Sequence, residues 1–410
     1  MNDRISRPEL VALLALMFAS IAFSMDAMLP ALPQISAELS PDRANLSQLI
    51  LTVFILGLGL GTFIVGPISD AFGRRSVILC GVGVYVLGAV LSWQAQSLET
   101  LLIARFLQGA GAAAPRVVGT AVLRDLYEGR AMAKLISLVM MLFVLFPAVA
   151  PLIGTLIMSF AGWRGIFAGF VVFALIQLVW VSIRLPETLP PERRRPLRRR
   201  ELAAAFREIV GNATVRLSTI TQTLVMTSMF TMLLLVQPVF FNVFGMGETF
   251  PYWFFMVAIV SGGASILNAS LVMRLGMRRL VVTSLSVQIA VASFVAVYAA
   301  WNPEMTGAFP IYIIWMCTVF AMIGLTVGNL NAIALEPVGH IAGMAASVVA
   351  AIATFCGSLL AVPFGLTFNG WLTPAALGIA VMCTICVLLM RHMERLEGRV
   401  PVTPPAAPGE

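Results

Sequence analysis

Charge is scarce in this chain. Asp, Glu, Lys and Arg together make up 11% of its 410 residues, and histidine occurs only at His340 and His392. A soluble domain carries roughly 25% charged residues, so an ordinary hydrated surface is excluded. Two histidines leave no material for a histidine-rich metal cluster, and no Ser-His-Asp set falls where a membrane chain could assemble it. The absence of a Gly-x-x-x-x-Gly-Lys-Ser/Thr loop removes the usual phosphate cradle, and with it ATP hydrolysis as the chain's own energy source. Cysteine is scarce and odd in number. Cys80, Cys317, Cys356, Cys383 and Cys386 all sit in apolar stretches, which argues against a disulfide framework. Cys383 and Cys386 are spaced C-x-x-C, but on one helix they read as packing residues.

What is present is apolar: 60% of residues are hydrophobic and the mean hydropathy is +0.96. Twelve helical crossings of about 20 residues would take about 240 of them. A β-barrel would alternate apolar and polar residues over about 10 positions, whereas Leu51 to Val65 runs almost without a polar residue. The start of the chain has a basic end and an apolar run, as a signal peptide does. That run is long and leads into further spans, so it reads as a retained first helix.

Apolar segments fall near 9–31, 46–68, 76–96, 99–121, 134–160 and 164–184, then near 217–243, 252–273, 279–300, 308–330, 342–366 and 370–391. The expected fold is an all-α polytopic membrane protein, with twelve transmembrane helices in two six-helix bundles. The first bundle is 1–184 and the second 217–391. A Pro- and Arg-rich linker, 185–216, carries Arg193, Arg194, Arg195, Arg198, Arg199 and Arg200, and 392–410 forms a tail. Lys and Arg concentrate in the termini, the linker and the loops after even-numbered spans; the other side offers Arg43 and Arg164. Basic short loops stay inside, so both termini are expected in the cytoplasm.

A repeat supports two halves. Gly66-Pro67-Ile68-Ser69-Asp70-Ala71-Phe72-Gly73-Arg74-Arg75 follows span 2, and Arg274-Leu275-Gly276-Met277-Arg278-Arg279 follows span 8. The second copy lacks the acid. Gly73 permits a tight turn, and Asp70 can meet an arginine or a helix N-terminus, so the loop could latch one conformation. Gly66, Asp70, Gly73, Arg74 and Arg75 are therefore the expected conformational switch, although basic loops also simply fix topology.

An ionisable residue inside a span is costly and marks a functional site by default. Asp26 lies about 25 Å above the basic face and Arg105 about 21 Å above it, at 1.5 Å per residue. The two could pair or share a water-filled cavity. Gln108, Gly109, Ala112 and Arg116 continue the Arg105 stripe, three turns long. Arg116 could line the cavity or snorkel to the interface. Asp26 reads either as a proton carrier or as a structural ion pair. Burial favours a protonated carboxyl and a neighbouring guanidinium favours an ionised one, so opening and closing a cavity can move a proton. Pro147, Pro151 and Gly154 punctuate span 5, as a hinge or as a place of close helix packing. Met229 and Gln237 in span 7, with the Asn329-Leu330-Asn331 stretch around position 330, are the candidate substrate cavity; packing is the competing reading. Glu336 and His340 are four apart, but two residues make no metal site.

Together these residues resemble the major facilitator superfamily. Gly66-x-x-x-Asp70-x-x-Gly73-Arg74-Arg75 resembles its loop 2–3 signature, and Arg105-x-x-Gln108-Gly109-x-Gly111 resembles the span-4 motif of its drug:proton antiporters. Asp26-Ala27-Met28-Leu29-Pro30-Ala31-Leu32-Pro33 is similar to the span-1 motif of the Bcr/CflA drug-resistance branch. Trp163-Arg164-x-Ile166-Phe167, Leu185-Pro186-Glu187-Thr188-Leu189 and Glu336-Pro337-x-Gly339-His340-x-Ala342-Gly343 are also similar to that branch. Ala150-Pro151-Leu152-Ile153-Gly154-Thr155 departs from the Gly-Pro-x-x-Gly-Gly of antiporters at two fixed positions. The resemblance implies a monomeric, multi-pass transporter of the bacterial inner membrane, expelling small amphiphilic molecules in exchange for protons. It implies no cofactor beyond the proton gradient and no nucleic-acid partner. It implies a cavity acid at Asp26, a proton-transfer role for Arg105 and a gating role for the Asp70 loop. An importer or exporter of one metabolite, such as an amino acid or sugar, is the competing transport reading. Outside transport, the competing reading is a receptor or scaffold using the basic linker, and an enzyme is the least expected class.

Overall fold

The computed structural model describes residues 5–127, 129–194, 199–302 and 307–397. Every regular element among the described residues is helical. Helix α1 (Arg7–Asp26) begins where Ser6 accepts the Glu9 amide at 3.4 Å, with Pro8 in the first turn, where a missing N–H costs nothing. Pro30 and Pro33 prevent its continuation. The chain makes a tight turn at Leu29–Ala31 and resumes as α2 (Leu32–Leu39). There follow α3 (Leu49–Phe72), α4 (Arg74–Trp93), α5 (Leu98–Leu126) and α6 (Gly129–Arg184). A reciprocal Ser97/Thr100 cap starts α5. Helix α6, 56 residues long, is interrupted at Gly162 (φ 62°, ψ −172°), inside the gap expected between spans 5 and 6. Then come α7 (Arg199–Gly211) in the linker, α8 (Ala213–Pro238), α9 (Phe250–Leu275), α10 (Met277–Trp301), α11 (Phe309–Leu335), α12 (Ala342–Leu366) and α13 (Thr373–Glu397).

Nine segments among the described residues are long and apolar enough to cross a membrane, against the twelve expected. Two of them, Leu145–Arg184 and Phe309–Leu366, are 40 and 58 residues long, more than one crossing needs. Helix α5 is not among the nine; its Gly and Ala residues, with Arg105 and Arg116, lower its hydropathy.

The helices pack in two groups, α1 with α3–α6 and α8 with α9–α13, which meet along α3/α12 and α6/α9. Helices α1 and α8 are central: 89% and 78% of their most apolar windows are buried, against 17% for α9. Glycines set the closest approaches. A Cβ on Gly57 would collide with the Phe106 carbonyl of α5, and one on Gly61 would lie 2.6 Å from the Ala110 carbonyl. Gly59, on the opposite face of α3, would place its Cβ 2.9 Å from the Phe355 amide of α12. Around the perimeter Ile103, Phe160, Ile183, Ile266 and Met273 are exposed. In water such a surface would aggregate; in hydrocarbon it is an ordinary lipid contact.

The internal repeat has a structural counterpart. Gly73 (φ 97°, ψ 154°) joins α3 to α4, and Gly276 (φ 79°, ψ 156°) joins α9 to α10. Both occupy a backbone region that an L-residue enters only with strain. We call the face bearing these turns the basic end.

Candidate functional site

The interior site is built where α1 gives out. Asp26 is the last residue of α1, buried, and its carboxylate makes no hydrogen bond or ion pair with any described residue. Arg105, on α5, is fully buried but does not pair with it. Its guanidinium donates to the Ser24 carbonyl at 2.9 Å, to Gln108 Oε1 at 2.7 Å and to the Ile50 carbonyl at 3.4 Å. It also lies 4.3 Å from the centre of the Phe54 ring. Of the two geometries open in the sequence, an ion pair is absent from this conformation. Ser24 is shared: its hydroxyl is 2.6 Å from the Tyr85 hydroxyl, which belongs to α4. Tyr85 escaped the sequence reading because nothing in its neighbourhood marks it as polar. Gln108 Nε2 is buried and makes no hydrogen bond of ordinary length with a described residue. Arg116 is exposed although Ala113, Ala114 and Val118 beside it are fully buried, so its side chain reaches open space.

Gly154 reaches this site from α6. A Cβ there would strike the Ala27 carbonyl, next to Asp26. Close packing is thus what Gly154 does in this conformation. Pro147 and Pro151 lie in uninterrupted helix, and Thr155 Oγ1 donates to the Pro151 carbonyl at 3.0 Å.

The loop after α3 forms a polar cluster at the basic end. Arg74 binds Asp70 at 2.5 Å, Asp125 of α5 at 2.9 Å and Ser69 Oγ at 2.7 Å. Glu187, beyond α6, accepts the Arg74 and Arg75 amides at 2.8 and 3.2 Å and so caps α4. Arg75 donates to the Ser182 carbonyl at 2.5 Å. A Cβ on Gly66 would be 3.4 Å from Ser347 Oγ of α12, where the two helix groups approach. Asp125 and Ser182 were not anticipated: residues 51 and 107 positions from Arg74 and Arg75 carry no local signal. In the second half Arg278, two residues after Gly276 as Arg75 is after Gly73, binds Glu397 of α13 at 2.7 Å. Both arginines thereby tie the turn to the last helix of their own group.

The opposite end is held by amides. Asn45 Nδ2 donates to the Leu366 and Phe368 carbonyls at 3.0 and 2.9 Å, and Gln48 Nε2 to Gln237 Oε1 at 3.3 Å. Gln237, a candidate cavity residue, is therefore engaged across the two groups. Met229 is half-buried on α8 and Leu330 fully buried on α11. Asn329 bonds Asn268 at 2.8 Å, and Asn331 Oδ1 is buried without a partner. The structure does not bring these C-terminal residues onto the Asp26–Arg105 site by any hydrogen bond. His340 pairs with Glu208 of α7 at 3.0 Å, and no metal-ligand cluster occurs among the described residues. Of the linker arginines, Arg195 and Arg198 lie outside the described residues.

The sequence profile of the Major Facilitator Superfamily matches residues 13–362. The chain belongs to that superfamily. This transporter is 29% identical over 369 residues to an uncharacterized MFS-type transporter of Bacillus subtilis, YdgK, covering 88% of each chain. It is 30% identical over 291 residues to a bicyclomycin resistance protein homolog of Haemophilus influenzae, covering 70% of this chain and 72% of that one. Against the multidrug resistance protein MdtL of Escherichia coli it is 27% identical over 369 residues, covering 89% and 90%. Its fold resembles that of a D-xylose-proton symporter with a TM-score of 0.74 at 14% identity, over 93% of this chain and 96% of that one. YdgK is named as a transporter and the other two relatives as resistance proteins, and this chain is a membrane transporter rather than an enzyme.

Proposed function

We propose that this transporter exports small amphiphilic compounds in exchange for protons, by alternating access across a bacterial inner membrane. The observation that carries the reading is Asp26: an interior carboxylate with no partner among the described residues, beside an arginine whose hydrogen bonds go to neutral groups. A carboxylate left free can bind either a proton or a cationic substrate group, but not both at once, and that exclusion is what exchange requires. The names of the bicyclomycin-resistance and multidrug-resistance relatives support drug export in particular.

In this reading the chain makes twelve crossings. The Leu145–Arg184 break and the α11–α12 turn raise nine segments to eleven, and α5 supplies the twelfth. Residues 1–184 and 217–391 act as two six-helix bundles around the linker, with the basic end and both termini in the cytoplasm. The amide contacts of Asn45, Gln48 and Gln237 close the outer side, and substrate enters from within. A proton taken up by Asp26 from outside and released inside drives the return. Arg105 and Gln108 hold the adjacent α1 backbone while Asp26 changes its charge, and Arg116 lines the access path. The Asp70–Arg74 loop steadies one conformation. Substrate, protons and lipid are the only partners, no cofactor is used, and the carrier works as a monomer.

Inverted vesicles with an imposed proton gradient test this. Uptake of a labelled amphiphile should follow the gradient and be lost in Asp26→Asn. Full gradient-driven uptake by that variant rejects the proton role, and accumulation of the compound by intact cells would make the chain an importer.

A further inference from the structure

A cavity of ≈ 430 Å³ opens at the basic end, between the first turn of α1, the residue that follows α5 and the start of α6. That volume lies within the range of small-molecule sites. Its polar lining is Arg7, Tyr127 and Lys134, and its apolar lining includes Val11, Leu135 and Leu138. Arg7 sits 5.8 Å from the centre of the Tyr127 ring. Lys134 is the chain's single lysine. No carboxylate is among the described lining residues. This sets the pocket apart from its surroundings: Arg74, Arg184 and Arg278 each hold an acid at 2.9 Å or less, whereas Arg7 and Lys134 make no ion pair with a described residue.

From this arrangement we infer that the pocket binds the phosphate headgroup of an anionic phospholipid of the cytoplasmic leaflet. Two cations without an anionic partner among the described residues supply the charge complement. Tyr127 offers an amphipathic ring of the kind that favours the membrane interface. Val11 and Leu135 are buried, while Leu138 is exposed, so the floor is dry and one wall opens outwards. A headgroup and glycerol backbone fit inside, and the acyl chains leave over Leu138. Basic pockets between membrane helices on the positively charged side hold anionic headgroups for this electrostatic reason. The bound lipid would wedge the start of α1 against the α5–α6 turn. The leaflet rests on the proposed cytoplasmic placement of the basic end; the site itself is independent of Asp26 and of transport direction.

The test uses the full chain in nanodiscs, with Leu138→Trp as a reporter against the parent's own tryptophans. Phosphatidylglycerol with brominated chains should quench the added tryptophan at a membrane fraction about 30-fold lower than brominated phosphatidylcholine, or roughly fivefold per cation. The Arg7→Gln/Lys134→Gln double variant should bring the two lipids to parity, Arg7→Lys should keep the preference, and Arg216→Gln, a cation elsewhere, should leave it unchanged. Equal quenching by the two lipids in the reporter protein overturns the assignment. Displacement by soluble glycerol phosphate also overturns it, by showing a site for free phosphate. Should the reporter variant fail to fold, amine labelling of Lys134 in the unmodified protein decides: phosphatidylglycerol must protect it where phosphatidylcholine does not.

Discussion

Arg105 donates to the main-chain carbonyl of Ser24 at 2.9 Å, and not to the carboxylate of Asp26 two residues along. A single turn at the end of α1 thus presents a neutral acceptor to the arginine and leaves the acid free. The arginine is fastened and the acid is available. Arg105→Lys should separate the two roles. A lysine keeps the charge but cannot fork to Ser24 and Gln108 together. Losing one charged hydrogen bond in a buried site costs about 1.5–3 kcal/mol, which thermal unfolding of the purified variant would report. Unchanged stability would mean that the fork does not hold α1.

The cap on α4 makes a second prediction. Glu187 accepts two amides of the first turn, so Glu187→Ala should lower stability by about 1 kcal/mol, and Glu187→Gln by less. Glu208→Ala is the contrast: its pairing with His340 is between two exposed groups, and exposed pairs contribute at most about 1 kcal/mol. Unfolding curves that rank Glu208→Ala above Glu187→Ala would refute this ordering.

Three glycines of α3 face two partners. Gly57→Ala must shift the α3–α5 backbone and should destabilise by about 1–3 kcal/mol, as overpacking does. Gly59→Ala presses instead on Phe355, where the two helix groups meet. It should slow transport more than it lowers thermal stability, and initial rates measured beside unfolding midpoints would show whether the effects divide in this way.

At the opposite end, Gln48 and Gln237 form a neutral bridge. A double-mutant cycle with alanine should return a coupling of about 0.5–1.5 kcal/mol. Both alanine variants should also raise labelling of a cysteine placed at Thr52. A coupling near zero, with labelling unchanged, would show that Asn45 and its two carbonyl acceptors carry the closure alone.

Much of this was legible in advance. The apolar run near 9–31 marks the first helix, and the Gly73 and Gly276 turns announce the repeat, because each acts within a few residues of itself. Helix α5 is missing from the nine candidate crossings for an equally local reason. It carries its arginines and glycines where hydropathy is counted, and Arg105, Gly109, Gly111 and Gly119 are buried on its packing face. Asp26 and Arg105 could be placed at one depth from helix rise alone, but depth does not fix direction around an axis. Their failure to pair is a matter of rotation.

What the sequence alone determined is therefore the solvent and the outline. Sparse charge and long apolar runs require a bilayer around helices, and basic loops single out one face. Which groups meet was decided only by tertiary structure. Glu187 reaches α4 across 113 positions and Asp125 reaches Arg74 across 51. Such contacts depend on how helices are rotated and how closely glycines let them approach. A hydrogen bond is satisfied within about 3 Å, far finer than any periodicity can specify.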